Sequence, residues 1–176
     1  NGVSFWQAAE NAEIYGSVLY NNGWQGPDRG HGHGIYAQNL TGTKKITDVI
    51  SWGQFSTGMK AYAEGGYVVG IDFDGVTSFD NNENNLLVGT ITNPADKVNI
   101  TNSYLYFSKN NNGNNLQVSY QNQKNGVVTV KDNYVAGGCR NLYISWWNTI
   151  LLSGNTFYLT KPSITCSNKD RILVKP

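Results

Sequence analysis

The 176-residue sequence predicts an all-β fold, a parallel β-helix of about six coils formed by a single domain over residues 1–176. Three observations predict it. Charged residues are only 14% while Gly and Asn number 20 and 24, a composition poor in helix formers and rich in bend formers. Apolar residues come in runs of about four to six, closed off by Asn, Gly, Asp or Ser, as in Val127-Val128-Thr129-Val130. A six-residue unit also recurs: apolar, any, Gly/Asn/Asp, Ser/Asn, any, apolar.

The unit reads Ile14-Tyr15-Gly16-Ser17-Val18-Leu19, then Ile100 to Leu105, Val130 to Val135 and Leu152 to Phe157, with degraded copies at Ile46 to Ile50 and Ile71 to Val76. Before each lies a second short strand, starting at Val3, Ile35, Met59, Leu86, Leu116 and Leu142, which are 32, 24, 27, 30 and 26 residues apart. One such coil cannot bury its own inward side chains, but stacked coils share a continuous core. Parallel pairing advances ~4.8 Å per coil, so six coils make a rod roughly 30 Å long. Asn or Ser at the fourth position of the unit is expected at a bend, bonding its counterpart one coil away. The only helix-like stretch, 7–13, is short. A jelly roll also has short strands, but its bends recur once per hairpin, not once per coil.

A net charge of +1 gives no electrostatic footprint for nucleic acid or an anionic membrane, and no apolar run approaches the ~20 residues of a membrane span. The chain starts at Asn1 without a Met or leader and opens directly into a strand, so it is expected to be part of a longer precursor. Its final strand-like run, Ile172-Leu173-Val174, lies near a second uncapped edge. Uncapped coils favour head-to-tail stacking of copies into fibres.

Along the first strands, alternation turns Ile35, Ala37, Met59 and Ala61 inward. It turns Ser4, Trp6, Tyr36, Gln38, Lys60 and Tyr62 outward, followed by Gln117, Ser119, Tyr143 and Ser145. Stacking then gathers Trp6, Tyr36, Gln38, Lys60 and Tyr62 into a carbohydrate-contacting face, with aromatic platforms beside amide and ammonium donors. Gly30-His31-Gly32-His33-Gly34, next to Asp28 and Arg29, supplies acid/base groups. If the chain is an enzyme, Lys60 or Arg29 neutralises a uronate, His33 or His31 is the base, and Tyr36 or Tyr62 is the acid. Two histidines without a third ligand make no metal site, and no cofactor is implied.

Asp72 and Asp74 share a strand face and read as turn or solvated carboxylates. Cys139 and Cys166 are 27 residues apart, about one coil, which suits a disulfide and an extracellular or cell-surface location. Asn39-Leu40-Thr41 and Asn99-Ile100-Thr101 match the N-glycosylation pattern.

The run from Asn21 to Asn39, with Gln54-Phe55, Gly58-Met59-Lys60-Ala61-Tyr62 and Gly154-Asn155-Thr156-Phe157, resembles bacterial right-handed parallel β-helix proteins of the pectate-lyase-like superfamily. The resemblance implies a right-handed solenoid and a polysaccharide or glycan partner. Many members act on acidic polysaccharides; others only bind or serve as surface structures. The Asp cluster that holds calcium in the lyases has no counterpart here. The expected function is therefore an extracellular structural or adhesive β-helix that contacts glycans, the alternative being a lyase or glycoside hydrolase of an acidic polysaccharide.

Overall fold

A computed structural model describes residues 1–108, 113–119, 124–158 and 171–175. Among them the chain forms a parallel β-helix of about six coils with three strands per coil. The first sheet stacks seven strands: Val3–Phe5, Ile35–Ala37, Met59–Ala63, Leu86–Thr90, Asn114–Val118, Arg140–Ser145 and Ile172–Lys175. The second stacks Glu13–Tyr15, Lys44–Thr47, Val69–Asp74, Asp96–Thr101, Asn125–Lys131 and Trp147–Ser153. The third stacks Val18–Tyr20, Ile50–Trp52, Thr77–Phe79, Tyr104–Tyr106, Tyr134–Ala136 and Thr156–Tyr158. The helix-like stretch 7–13 forms turns that lead into the strand at Glu13.

The six starting residues of the first strands lie in one register column. Val3 pairs with Ile35, Ile35 with Met59, Met59 with Leu86, Leu86 with Leu116, and Leu116 with Leu142. Ile172 adds a seventh member against Leu142. The spacings differ in sequence because the corners differ in length. The 32-residue first interval contains an antiparallel hairpin, Trp24–Gln25 with Gly30–His31.

The six-residue unit is two strands joined by a two-residue corner. Phe73, not Ile71, pairs with Ile46, so the unit of that coil runs from Phe73 to Ser78. The third position is then left-handed at every coil: Gly16, Asp48, Gly75, Asn102, Asp132 and Gly154 have φ between 51° and 64°. Only Gly, Asn and Asp adopt this conformation at little cost, which is why the unit tolerates no other residue there. The fourth position carries the expected ladder. The Ser103 N–H donates to Asn133 Oδ1 (2.9 Å), and the Asn133 N–H and side-chain amide donate to Asn155 Oδ1 (3.0 and 2.9 Å).

Inside, Ile35, Met59, Leu86, Leu116 and Leu142 face Ile46, Phe73, Ile100 and Val130, all without solvent exposure. A second amide ladder lines the corner between the third and first sheets. Asn81 donates its side-chain amide to Asn85 Oδ1 (2.8 Å), and Asn85 donates to the Tyr106 carbonyl (2.9 Å) and to Asn115 Oδ1 (2.5 Å). Asn115 continues to the Ala136 and Gly137 carbonyls (2.6 and 2.8 Å). These amides can sit among apolar side chains because they bond one another and add a second donor to the Tyr106 and Ala136 carbonyls, which also accept the Asp80 and Phe107 N–H groups.

The outer face of the third sheet carries no charged residue. Its first column is Val18, Ile50, Thr77, Tyr104, Tyr134 and Thr156. Its second is Tyr20, Trp52, Phe79, Tyr106, Ala136 and Tyr158. Tyr20, Trp52, Phe79 and Tyr106 form a continuous stack, with ring centroids 5.0, 5.7 and 4.8 Å apart and interplanar angles of 12°, 2° and 2°.

Candidate functional site

The candidate site is built on the outer face of the first sheet, where its first three coils meet. Tyr36 is in register with Lys60 on the next strand, because Ile35 pairs with Met59 and Ala37 with Ala61. Lys60 Nζ lies 5.6 Å from the Tyr36 ring centre and 4.4 Å from that of Tyr62. Tyr36 in turn meets Trp6 (5.6 Å), His33 (5.7 Å) and, edge-on, Tyr62 (6.3 Å). Burial raises the Tyr36 pKa, and Gln38, two residues further along the same outward face, acts against that shift. All five expected glycan-contacting residues, Trp6, Tyr36, Gln38, Lys60 and Tyr62, thus form one cluster.

Their exposure differs. Trp6 is 59% exposed and Tyr36 and Lys60 are half-buried, whereas Tyr62 retains only 5% of its surface. Tyr62 points outward as alternation requires, but its ring is covered; Ser119 and Ser145 further along are covered as well. Trp6 and Tyr36 are therefore the rings that a ligand can reach.

A groove of about 390 Å³ opens beside the cluster and includes Arg29, Lys60, Tyr62, Glu64, Glu83 and Gln117 in its lining. Burial holds the Lys60 ammonium below the usual lysine range; Glu83 and Glu64 act against this shift and Arg29 reinforces it. Ser56 Oγ donates to Glu83 Oε2 (2.7 Å), which fixes that carboxylate. Glu64 and Glu83 lie outside the repeating unit, so no periodicity marks them in the sequence. Their presence balances the two cations of the groove.

His33 is buried, and its pKa is lowered from 6.5 to about 3, chiefly by desolvation and then by Lys60, the N-terminus and Arg29. Its Nδ1 accepts the Thr57 N–H at 3.2 Å. A neutral ring whose Nδ1 is an acceptor carries its proton on Nε2, so the free nitrogen of His33 is a donor. That arrangement suits binding a ligand oxygen and opposes the role of base.

His31 has a different employment. Its Nε2 pairs with Asp28 Oδ1 at 2.9 Å, and its ring stacks on Trp24 at 4.9 Å. The hydrogen bond to His31 is the first cause that lowers the Asp28 pKa. His31 thus closes the hairpin that carries Arg29 to the groove.

Lys44 is fully buried in a column otherwise filled by Ile71, Val98, Val128 and Ile150. Its ammonium donates to the carbonyls of Trp6 and Gln38. A lysine beside Lys45 reads as surface in the sequence; here one of the pair anchors two backbone segments of the site, and burial lowers its pKa.

Other expectations resolve simply. Asn39 is fully buried and its amide donates to the carbonyls of Gly42, Val69 and Gly70, so this packing leaves no room for an attached glycan. Asn99 lies on the outer face of the second sheet and donates to Asp72 Oδ1 at 2.7 Å. Asp74 accepts from Thr101 and Asn102 (both 2.7 Å), so both aspartates serve the coil-to-coil bonding of that face. Among the described residues no group of three or more His, Cys, Asp or Glu is placed to hold a metal, and no helix is long and apolar enough to cross a membrane. Cys139 is buried, and Cys166 lies outside the described residues.

No family model, curated protein or solved structure matches the chain.

Proposed function

We propose that the protein is an extracellular structural or adhesive β-helix of the pectate-lyase-like kind that binds a glycan in the groove beside Lys60 and stacks end to end. The observation that carries the glycan reading is the Lys60 ammonium held over the Tyr36 and Tyr62 rings, with the exposed Trp6 indole against Tyr36. A flat exposed indole offers the apolar face that a sugar ring needs. The Lys60 ammonium, the Gln38 amide and the Arg29 guanidinium offer partners to hydroxyls and to a carboxylate. A Cys139–Cys166 disulfide belongs to the same extracellular reading.

Binding is tested by calorimetry with alginate, polygalacturonate and glycosaminoglycan oligomers. Trp6→Ala and Lys60→Gln should each weaken the best ligand about tenfold, the scale of one lost ring or charge-assisted contact. Unchanged affinity in both variants overturns the assignment.

Stacking draws support from the register of the third sheet. A second copy in register places Tyr158 over Tyr20 and Phe157 over Leu19, continuing columns that already exist. Sedimentation should show assemblies that grow with concentration and shrink on Leu19→Lys; a monomer at every concentration overturns stacking.

One observation favours a second reading, a polysaccharide lyase. Lys60, with its pKa lowered, shares the groove with Arg29 and Tyr62, a cation pair for a uronate next to a phenol. Release of unsaturated uronate from the same polymers is its signature.

A further inference from the structure

We infer that the outer face of the third sheet is a second carbohydrate site, which holds a single linear, neutral polysaccharide chain laid along the axis of the solenoid. The face is separate from the Lys60 groove, and the inference stands or falls independently of it.

The argument begins with the ring stack. Parallel rings in full face-to-face contact lie about 3.5–4 Å apart. Tyr20, Trp52, Phe79 and Tyr106 are parallel to within 12°, but their centroids are 4.8–5.7 Å apart. Their spacing is that of the strands that carry them, looser than ring-on-ring contact, and Tyr20 is exposed while Trp52, Phe79 and Tyr106 are each partly exposed. The neighbouring column adds Tyr104 and Tyr134, 57% and 39% exposed, with ring centroids 6.1 Å apart. Strand pairing fixes every one of these rings, so binding costs little further ordering.

Dimensions and charge select the occupant. The two columns run roughly 7 Å apart and roughly 24 Å along the axis. Even doubled for the breadth of the rings, this strip falls well short of the ~800 Å² per partner that a stable protein interface buries. It is long and narrow, the shape of one extended polymer chain. In such a chain a pyranose with its glycosidic oxygen advances by about the thickness of one coil, so successive sugars meet successive rings. No charged side chain projects from the strip, which removes any electrostatic preference for a uronate or a sulfated sugar.

A polar shelf runs along one long side. Gln25, Gly53, Gln54, Phe55, Asp80 and Asn82 contribute to a depression of about 340 Å³. Residues 53–55 and 80–82 directly follow the strands that carry Trp52 and Phe79, so the shelf is continuous with the stacked rings. Asp80 is held in place by the Ser108 N–H (2.7 Å) and hydroxyl (2.6 Å). An aromatic ribbon bordered by amide and carboxylate acceptors matches a sugar, whose ring faces are apolar and whose rim is all hydroxyl. A purely apolar partner would leave the shelf unused.

The test is calorimetry and tryptophan fluorescence with cello- and chito-oligosaccharides from two to six sugars, and hexagalacturonate as the anionic control. Affinity should rise with chain length, because longer chains cover more coils, and hexagalacturonate should not compete. Tyr104→Ser with Tyr134→Ser, both on exposed side chains, should weaken the hexasaccharide about tenfold. Trp6→Ala should leave it unchanged. If the double variant does not fold, the length series decides: affinity independent of length overturns the inference. So does the absence of binding by both hexasaccharides, or binding abolished by Trp6→Ala alone. A dimer that the double variant dissolves and hexasaccharide does not would assign the strip to a second copy and also overturn it.

Discussion

Asn85→Leu is expected to destabilise the protein by about 3 kcal/mol, more than the loss of any single exposed aromatic. The exchange keeps the branched heavy-atom shape but removes the middle rung of the inner amide ladder. It leaves Asn115 Oδ1 without the Asn85 amide, takes one of two donors from the Tyr106 carbonyl, which keeps the Asp80 N–H, and one acceptor from the Asn81 amide, which keeps Ser78 Oγ. The orphaned Asn115 oxygen costs roughly 1–3 kcal/mol and each further lost hydrogen bond about 1 kcal/mol, and Asn115 cannot turn to water, because it has no exposed surface. Equilibrium urea unfolding measures the change. A loss under about 1 kcal/mol would mean that the corner rearranges and the ladder is not the element that closes it.

The second large effect is acid sensitivity carried by His33. The folded ring takes a proton only near pH 3, against 6.5 for an ordinary histidine. Between these values the unfolded chain binds a proton that the folded chain refuses. Stability contributed by the neutral ring is therefore complete above pH 6.5. It falls as the pH falls, by up to ~1.4 kcal/mol per unit. Carboxylate protonation adds its own slope below about pH 4.5, so the comparison is with His33→Gln, whose side-chain oxygen can still accept the Thr57 N–H. Unfolding midpoints between pH 7 and 5 should drop for the parent and stay nearly level for the variant. Equal slopes would mean that His33 titrates normally and is not buried as described.

The stacking columns were legible in the sequence because their physical requirement repeats: an inward apolar residue once per coil and a left-handed residue once per corner. Val3, Ile35, Met59, Leu86, Leu116 and Leu142 could be aligned although the intervals between them range from 24 to 32 residues. The cluster around Lys60 was legible for the same reason, since alternation fixes direction. Alternation does not fix exposure, and so Tyr62 emerged covered. The aromatic ribbon of the third sheet was hidden because outward positions carry no shared constraint: its columns mix Val, Ile, Thr, Tyr, Trp, Phe and Ala. Glu64 and Glu83 belong to corners, where nothing repeats. Lys44 was invisible because its partners are carbonyls of Trp6 and Gln38, groups that every residue has.

The two-residue corner between the second and third sheets has a consequence for how such a chain tolerates change in length. Its left-handed residue recurs in all six coils, while the corner after the third sheet ranges from the three residues 137–139 to the fourteen residues 21–34, hairpin included. The tight corner therefore acts as a phase reset. An insertion ahead of the first sheet lengthens the coil, but it does not alter which side chain faces inward after the next reset. Errors of register end within the coil where they arise, and a coil can gain a loop with new chemistry while its neighbours keep time.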